Sequence, residues 1–441
     1  MAMRDEAALR VELEKILLEF YKNRQDPPFI AGTSPIPVGF AIYGDEEVRH
    51  VLEVLLSGWI SMGRECQRFE QEFARYVGVQ HAVAVNSGSS ANLLIFTALV
   101  EKGLVPKGSE VIVPSATFTT AVSPILQVGL KPVFVDVDPK TYNISPEEIE
   151  KAVGPATKAI MVVHTLGLPA DMDPILALAK RHRLVVVEDC CEAHGTTYKG
   201  KKAGSFGTVA SFSFYVAHNM TTGEGGMIVT NDAEFAELFR SLREFGRLRK
   251  SSPTPFSYQD DLLKNFDGRY VFQRLGYNVR MTDATAAFGI EQLKKLEAFN
   301  QQRIATAEFY SEQLRPYRDF IQTPTVPPET IHTYYAYPLV VRPNSPFTRQ
   351  QLTRYLEERK IETRALFGGS LADQPAYRDL GIRQMGNLPT SQWLRDNCFF
   401  IGCHPKICAV EREYVVRCFQ EFLAMDRTDP RAKVLSQTSH E

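Results

Sequence analysis

The sequence predicts an α/β fold with a large domain, built around a mostly parallel sheet, and a smaller second domain. The chain has 441 residues, more than one ordinary hydrophobic core accommodates, so two domains are expected. From Ala82 onward, short runs of β-branched residues alternate with helical stretches. This alternation is typical of βαβ units, whose ligands bind at the carboxyl ends of the parallel strands.

Residues 1–45 are expected to form a helix followed by an extended arm. Apolar residues recur at helical spacing within residues 5–24. A proline-rich stretch then runs through Pro37, and helical residues resume near Asp45. We therefore expect the large domain to occupy residues 46–300.

Five apolar runs are expected to be strands of the large sheet. They are His81–Val85, Glu110–Pro114, Pro132–Asp136, Ala159–Val163 and Leu184–Val187. The polar residues 247–270, which include two prolines, are predicted to form a long loop.

A helix from about Ala284 to Leu314 is expected to lead into the small domain, residues 301–425. In that domain, Tyr335–Val341 is typical of a strand and Thr348–Lys360 of a helix.

The composition indicates a soluble, cytoplasmic protein. Its net charge of −2 gives no reason to expect nucleic acid or an anionic membrane as a partner. The sequence has no run of eighteen apolar residues, and its N-terminus lacks the apolar segment of a signal peptide. Seven scattered cysteines form no disulfide framework, which favours a reducing compartment. Residues 426–441 are polar and aperiodic, so a frayed or disordered tail is expected.

Two segments at strand ends carry candidate chemistry. In Asn86–Asn92, a Gly/Ser turn opens a helix whose free N–H groups suit a phosphate, although such a turn also occurs as a plain helix cap. In Val187–Gly195, Asp189 ends a buried apolar strand, where an acid is costly unless it is paired. A helix N-cap is the alternative role for this aspartate.

A third segment, Ser211–Thr230, reads Ser-Phe-Ser-Phe-Tyr-Val-Ala-His-Asn-Met-Thr-Thr-Gly-Glu-Gly-Gly-Met-Ile-Val-Thr. Together with the other two, it resembles the DegT/DnrJ/EryC1/StrS aminotransferase family over roughly residues 40–425. The resemblance implies the type I fold of enzymes that use pyridoxal 5'-phosphate (PLP). That fold has a mostly parallel seven-stranded sheet flanked by helices and a smaller α+β C-terminal domain.

The resemblance also implies cofactor contacts. Gly88, Ser89 and Ser213 match positions that bind the cofactor phosphate. Asp189 matches the aspartate that keeps the pyridine nitrogen protonated, so that the ring can accept electrons.

Four further positions match with less specific residue types. Phe118 matches the aromatic that stacks on the cofactor ring, although a core phenylalanine is the alternative. Glu192 matches the residue that contacts the ring hydroxyl, commonly Gln or Asp. Asn278 matches the asparagine that reaches the neighbouring subunit's phosphate, which implies a homodimer with shared sites; a turn asparagine is the alternative. His164 is a candidate substrate contact or a core histidine with satisfied hydrogen bonds.

His218 stands where the family normally has lysine, which forms the internal Schiff base and moves the proton in transamination. An imidazole cannot form a Schiff base, but it can act as a general base. The variant resembles the 3-dehydratases of 3,6-dideoxysugar formation, of the colitose and ascarylose types. It implies noncovalent pyridoxamine 5'-phosphate (PMP) or PLP, C3 dehydration of a nucleotide-linked 4-keto-6-deoxyhexose, His218 as the base, and glutamate as the amino donor.

Other functions remain open at this stage. The protein could be a sugar aminotransferase that uses another lysine, although Lys199, Lys201 and Lys202 lie in a polar turn. It could also be a noncatalytic partner of a related subunit, or carry an engineered substitution at position 218. The persistence of Asp189 and Ser213 argues against a decayed site.

The ascarylose-type enzymes hold a [2Fe–2S] cluster through four cysteines at fixed spacing. If Cys191 is the first of these, the other three positions hold Arg249, Ser251 and Gln259. None of these side chains supplies a thiolate, so we expect no metal and no iron–sulfur cluster.

Protein purified anaerobically should therefore contain neither iron nor acid-labile sulfide. Elemental analysis and a sulfide assay on the same sample check this. Stoichiometric iron and sulfide would show that cysteines elsewhere in the chain ligate a cluster.

Overall fold

The computed structural model describes residues 5–248 and 266–425. The predicted tail, most of the predicted loop and the three expected cluster positions lie outside these residues. Within the described ranges, no helix is both long and apolar enough to cross a membrane.

The described residues contain thirteen α-helices. They are α1 (Glu6–Asn23), α2 (Asp45–Leu56), α3 (Arg64–Val77), α4 (Gly88–Glu101), α5 (Ser123–Gln127), α6 (Pro146–Ala152), α7 (Met172–His182), α8 (Ala233–Leu242), α9 (Asp283–Leu314), α10 (Arg349–Glu358), α11 (Pro375–Arg378), α12 (Pro389–Asn397) and α13 (Ala409–Leu423). Several begin at side chains that cap them: Ser87, Thr282 and Thr348 each accept a hydrogen bond from a first-turn N–H. These caps satisfy donors that would otherwise lack partners, which fixes where α4, α9 and α10 start.

The same residues contain fifteen strands. They are β1 (His81–Val85), β2 (Glu110–Pro114), β3 (Lys131–Val135), β4 (Thr157–Val163), β5 (Val185–Asp189), β6 (Thr197–Tyr198), β7 (Lys201–Lys202), β8 (Val209–Ser213), β9 (Gly226–Thr230), β10 (Ile321–Gln322), β11 (Thr330–Ile331), β12 (Tyr337–Val341), β13 (Thr363–Ala365), β14 (Arg383–Gln384) and β15 (Cys398–Ile401).

The large sheet confirms the predicted fold class. Its strand order is β1-β9-β8-β5-β4-β2-β3-β14, and β9 is its one strand that runs against the others. All five predicted strands are present within a few residues of their expected bounds. A second sheet, β10-β12-β15-β13, is antiparallel and belongs to the C-terminal part.

The hydrophobic cores follow this division. One face of the large sheet packs against α4 and α8 through residues such as Leu94, Ile95 and Phe239, all fully buried. The antiparallel sheet has a separate core, which includes Tyr337 and Phe419. Each sheet thus buries its own apolar surface, as expected for a two-part α/β chain.

Two features of the fold were not predicted. The short strand β14, from the C-terminal part, extends the large sheet to eight strands by pairing with β3. α1 forms where the apolar spacing predicts it, yet none of its residues is buried. The proposed domain boundaries stay predictions, and both β14 and a bridge between Ile36 and Ile361 cross them.

Candidate active site

A cavity of about 660 Å³ lies at the carboxyl edge of the large sheet. Its walls come from residues that follow β1, β2, β4, β5 and β8, because the carboxyl ends of parallel strands meet at one edge. Eight of the nine predicted site residues line it. They are Gly88, Ser89, Phe118, His164, Asp189, Glu192, Ser213 and His218.

The turn after β1 is shaped to accept a small anion. A Cβ atom on Gly88 would lie 2.6 Å from Ser213 Cβ and 2.8 Å from Cys191 Sγ, so only glycine fits without displacing them. Ser87 caps α4 by accepting a hydrogen bond from Ser90 N–H, while Ser89 is exposed toward the cavity. The N-terminus of this fourteen-residue helix therefore offers N–H groups and a favourable dipole to a phosphate.

Asp189 ends β5 with its carboxylate held in place. Its Oδ2 accepts a hydrogen bond from Asn92 Nδ2 at 2.9 Å, and its Oδ1 accepts one from the N–H of Cys191 at 3.0 Å. Asn92 is fully buried on α4, so its amide is fixed by packing. These two donors stabilise an ionised carboxylate and orient it on the cavity wall.

Glu192 lies one turn beyond Asp189 on the same wall. Burial, reinforced by the charge of Asp189, raises the pKa of Glu192 to about 8, although a hydrogen bond from Leu166 N–H opposes the rise. The side chain is therefore largely protonated at neutral pH and can donate a hydrogen bond into the cavity.

His164 has both ring nitrogens engaged. Its Nε2 lies 3.0 Å from Glu188 Oε2, and its Nδ1 accepts a hydrogen bond from Ala170 N–H at 3.1 Å. Because Nδ1 accepts, Nε2 is the protonated nitrogen that donates to Glu188. Both polar atoms of His164 are thus used inside the protein, as expected for a core histidine.

Phe118 leaves more of its ring open than a core residue would. Its side chain is 56% exposed on the cavity wall, and its one close ring neighbour among the described residues is Phe367, with ring centroids 6.4 Å apart. An aromatic face open to a cavity suits stacking against a flat ligand.

His218 is half-buried between three rings. Its ring centroid lies 5.2 Å from that of Tyr335 and 6.0 Å from those of Tyr215 and His194. Its Nδ1 has no hydrogen-bond partner in the part of the chain that the structure describes. Burial, followed by the positive charge of Arg303, lowers the pKa of His218 to about 3. The imidazole is therefore neutral at physiological pH.

The structure places no lysine on the wall of this cavity among the described residues. Lys199 pairs with Asp173, and Lys202 donates to the carbonyl of Tyr76. Lys201 lies over the ring of Phe206. All three belong to the polar hairpin of β6 and β7 or its turn.

Asn278 is the predicted residue that does not line the cavity. It forms a bridge with Glu244 and accepts a hydrogen bond from Arg280 Nε at 3.1 Å. Its proposed contact with a second subunit stays a prediction.

Several cavity residues escaped sequence reasoning. Tyr335, Arg364, Phe367 and Phe400 reach the wall from the C-terminal part. The predicted strand included Tyr335, but this residue lies just before β12. Nothing in its local sequence marks it as a cavity residue.

Comparison with known proteins places this chain in a family. The model of the DegT/DnrJ/EryC1/StrS aminotransferase family matches residues 42–420. The lipopolysaccharide biosynthesis protein RfbH of Salmonella typhimurium is 36% identical over 95% of this chain and 99% of its own length. The dTDP-4-dehydro-2,6-dideoxy-D-glucose 3-dehydratase of Saccharopolyspora spinosa is 37% identical over 92% of this chain and 90% of its own.

A solved structure is similar over nearly its whole length. The crystal structure of GDP-4-keto-6-deoxymannose-3-dehydratase with a trapped PLP-glutamate geminal diamine has a TM-score of 0.82 and 31% identity, covering 87% of this chain and 99% of that one. The predicted resemblance is thereby confirmed, and the chain belongs to the PLP-dependent DegT/DnrJ/EryC1/StrS aminotransferase family.

Proposed function

We propose that this protein binds PMP without a covalent bond and removes the C3 hydroxyl of a nucleotide-linked 4-keto-6-deoxyhexose, with His218 as the base. The observation that carries the proposal is an imidazole on a cavity wall that holds no lysine among the described residues. Family membership alone does not choose this reaction, because the family is named for aminotransferases. The two relatives named as 3-dehydratases support it.

The residues of the cavity fit this cofactor. The glycine cradle at Gly88, with Ser89 and Ser213, would hold the phosphate. Asp189 would hold the pyridine nitrogen, Phe118 would cover a ring face, and Glu192 would donate to the ring hydroxyl. When bound, PMP supplies an amine that condenses with the sugar ketone and a ring that accepts electrons.

Asp189 would keep the nitrogen of the electron-accepting ring protonated. Its carboxylate already accepts hydrogen bonds from Asn92 and from the N–H of Cys191, so it is oriented before the cofactor binds. A fixed anion at this point stabilises positive charge on a heterocyclic nitrogen without reorganising during the reaction.

His218 moves the proton. The neutral imidazole, whose Nδ1 has no hydrogen-bond partner among the described residues, could remove a proton from the cofactor's C4' carbon. With PMP bound, loss of the C3 hydroxyl would reduce C3 by two electrons, and oxidation of the cofactor's aminomethyl carbon to the aldehyde would supply them. The products are the 3-deoxy-4-keto sugar, ammonia and PLP.

Glutamate is the proposed donor that restores PMP. The support is the crystal structure of GDP-4-keto-6-deoxymannose-3-dehydratase, which holds a trapped PLP-glutamate geminal diamine. Since the described residues place no lysine on the cavity wall to displace the product, water would release it. The two aromatic residues Phe367 and Phe400 and the charged Arg364 at the C-terminal wall would contact the substrate.

The first prediction concerns covalent attachment. Borohydride reduction of the PLP-loaded protein should leave no cofactor on any lysine, because no lysine of the described residues lines the cavity. His218→Lys should instead give a reducible adduct at position 218 and lose dehydration. Peptide mass spectrometry after reduction reads out both proteins. A stable adduct on a lysine of the unsubstituted chain would contradict noncovalent binding.

The second prediction concerns the phosphate cradle. Gly88→Ala adds a methyl group 2.6 Å from Ser213 Cβ, an overpacking that costs about 1–3 kcal/mol. Cofactor affinity should fall roughly 5- to 150-fold where this cost falls on the bound state, since 1.4 kcal/mol corresponds to about tenfold. Titration of PLP absorbance or fluorescence measures it.

Gly154→Ala is the matched control, because its new methyl group would meet nothing closer than Thr157 Oγ1 at 4.0 Å. It should bind PLP like the original chain. Equal PLP affinity in Gly88→Ala and Gly154→Ala would show that the turn after β1 does not contact the cofactor.

The third prediction concerns turnover. With one equivalent of PMP per active site and a suitable 4-keto sugar, ammonia release should stop after roughly one turnover and continue only when glutamate is added. His218→Asn should bind the cofactor but lose activity by about 10²–10⁴-fold, the usual contribution of a general base. Ammonia and sugar product are quantified in parallel. Sustained turnover on PMP with only a reductase and NADH would overturn this cycle.

A further inference from the structure

A buried positive charge lies beside the backbone of His218. Arg303, on α9, is 2% exposed, and no carboxylate of the described residues lies within ion-pair distance of it. A charge taken out of water without a counter-ion is costly. An apolar side chain of similar length would fill the same space without that cost, so the guanidinium needs an explanation.

The guanidinium joins two chain segments that border the cavity. Its Nη1 donates to the carbonyl of Tyr335 at 2.9 Å and to that of Tyr334 at 3.2 Å. Its Nη2 points at the carbonyl of His218 at 3.5 Å. One side chain thus ties the backbone of the proposed base to the segment that leads into β12.

A second attachment lies one turn earlier on α9. Asn300 accepts a hydrogen bond from Asn219, the neighbour of His218, at 2.8 Å and donates to the carbonyl of His194 at 2.8 Å. Asn219 also donates to the carbonyl of Thr333. Since Asn300 already holds the His218 loop, backbone fixation alone does not require a charged residue at position 303.

The charge acts on the imidazole. The ionisable groups around His218 come from several elements. They are Arg303 of α9, His194 after β5, Tyr215 of its own loop, Tyr335 before β12, and the cavity side chains His164, Asp189, Cys191, Glu192, Glu224, Glu362 and Arg364. Burial is the largest cause of the lowered pKa of His218, and the positive charge of Arg303 is the second cause. The same charge also contributes to lowering the pKa of His194. The two histidines are thus kept neutral beside one cation.

We propose that Arg303 is a positioning residue for the base, which fixes the His218 backbone and whose charge keeps protons off the imidazole. This inference rests on the proposed function only in naming His218 the base. A neutral base remains available as the pH falls, so activity would persist to lower pH than an ordinary histidine permits.

Three variants separate the charge from the hydrogen bonds. Arg303→Lys keeps the charge but loses the fork that reaches three carbonyls. Arg303→Met removes both, and Arg303→Gln removes the charge while keeping donors, which provides a neutral variant if Met prevents folding. Arg349→Met is the control: Arg349 also donates to a backbone carbonyl, that of Cys398, but does not line the cavity.

The first readout needs no catalysis. The full-length protein is labelled with ¹³C at histidine Cε1 and titrated by NMR, and the His218 signal is assigned as the one missing from His218→Asn. This signal should keep the chemical shift of a neutral ring as the pH is lowered to the limit of folding. In Arg303→Met and Arg303→Gln its pKa should rise by about one unit or more. Arg303→Lys and Arg349→Met should leave it near the original value.

The second readout is the pH profile of kcat/KM. A base must be unprotonated, so activity falls as the pH drops through its pKa, and removing the charge should move this acid limb to higher pH. Arg303→Lys should keep the limb in place while kcat falls roughly 10- to 100-fold, because the base is misplaced. If Arg303 were purely structural, replacing it would change stability and kcat but would not shift the acid limb of the pH profile.

The two proposals can fail separately. An unchanged His218 titration in both neutral variants would overturn the role of Arg303, whether or not the protein dehydrates sugars. A shifted His218 titration in the neutral variants of a protein without dehydratase activity would instead support the proposed role of Arg303 and contradict the proposed function.

Discussion

The in-register pairing of β4, β5 and β8 is the constraint on which the site depends. Val163 pairs with Asp189, and Asp189 pairs with Ser211, so β4 and β5 end in one row while β8 continues to Ser213. Because successive side chains of a strand point to opposite faces, a slip of one residue would exchange Asp189 with Glu188. The row also fixes where the chain leaves each strand, and with it the positions of His164 and Ser213.

The two adjacent acids of β5, Glu188 and Asp189, lie on opposite faces of the strand and have different surroundings. Glu188 is fully buried and accepts hydrogen bonds from His164 Nε2 and from three backbone N–H groups, of Gly204, Phe206 and Gly207. Burial alone would raise its pKa, but the bond and charge of His164 and these N–H groups lower it overall. Asp189, on the other face, is left to meet a ligand. Sequence reasoning required a partner for Asp189 only, and the pairing of Glu188 with His164 could be found only in three dimensions.

Local sequence therefore predicted elements well and contacts unevenly. The strands β1 to β5 and the helices α9 and α10 follow from apolar patterns and caps that act over a few residues. β14 has only two residues and no apolar alternation, so its pairing with β3 could not be predicted from the sequence. Arg303 is separated from His218 by 85 residues, and a helical arginine gives no sign that it will be buried. The motif residues of the cavity could be named because they follow strands whose ends share one edge.

The absence of a covalent anchor places unusual weight on the surrounding residues in the proposed mechanism. A Schiff-base lysine holds the cofactor and delivers the proton with one atom, whereas here those tasks fall to different parts of the chain. The cradle at Gly88 and the carboxylate of Asp189 would retain the cofactor through charge and hydrogen bonds. The imidazole would move only the proton, which is useful only while it is neutral. A buried cation that contacts the backbone of that residue, held by carbonyls rather than by a carboxylate, keeps its charge unneutralised and so available to oppose protonation of the imidazole. A carboxylate beside Arg303 would stabilise the guanidinium but cancel this effect, which gives a physical reason for its pairing with carbonyls and with the Cys403 thiol.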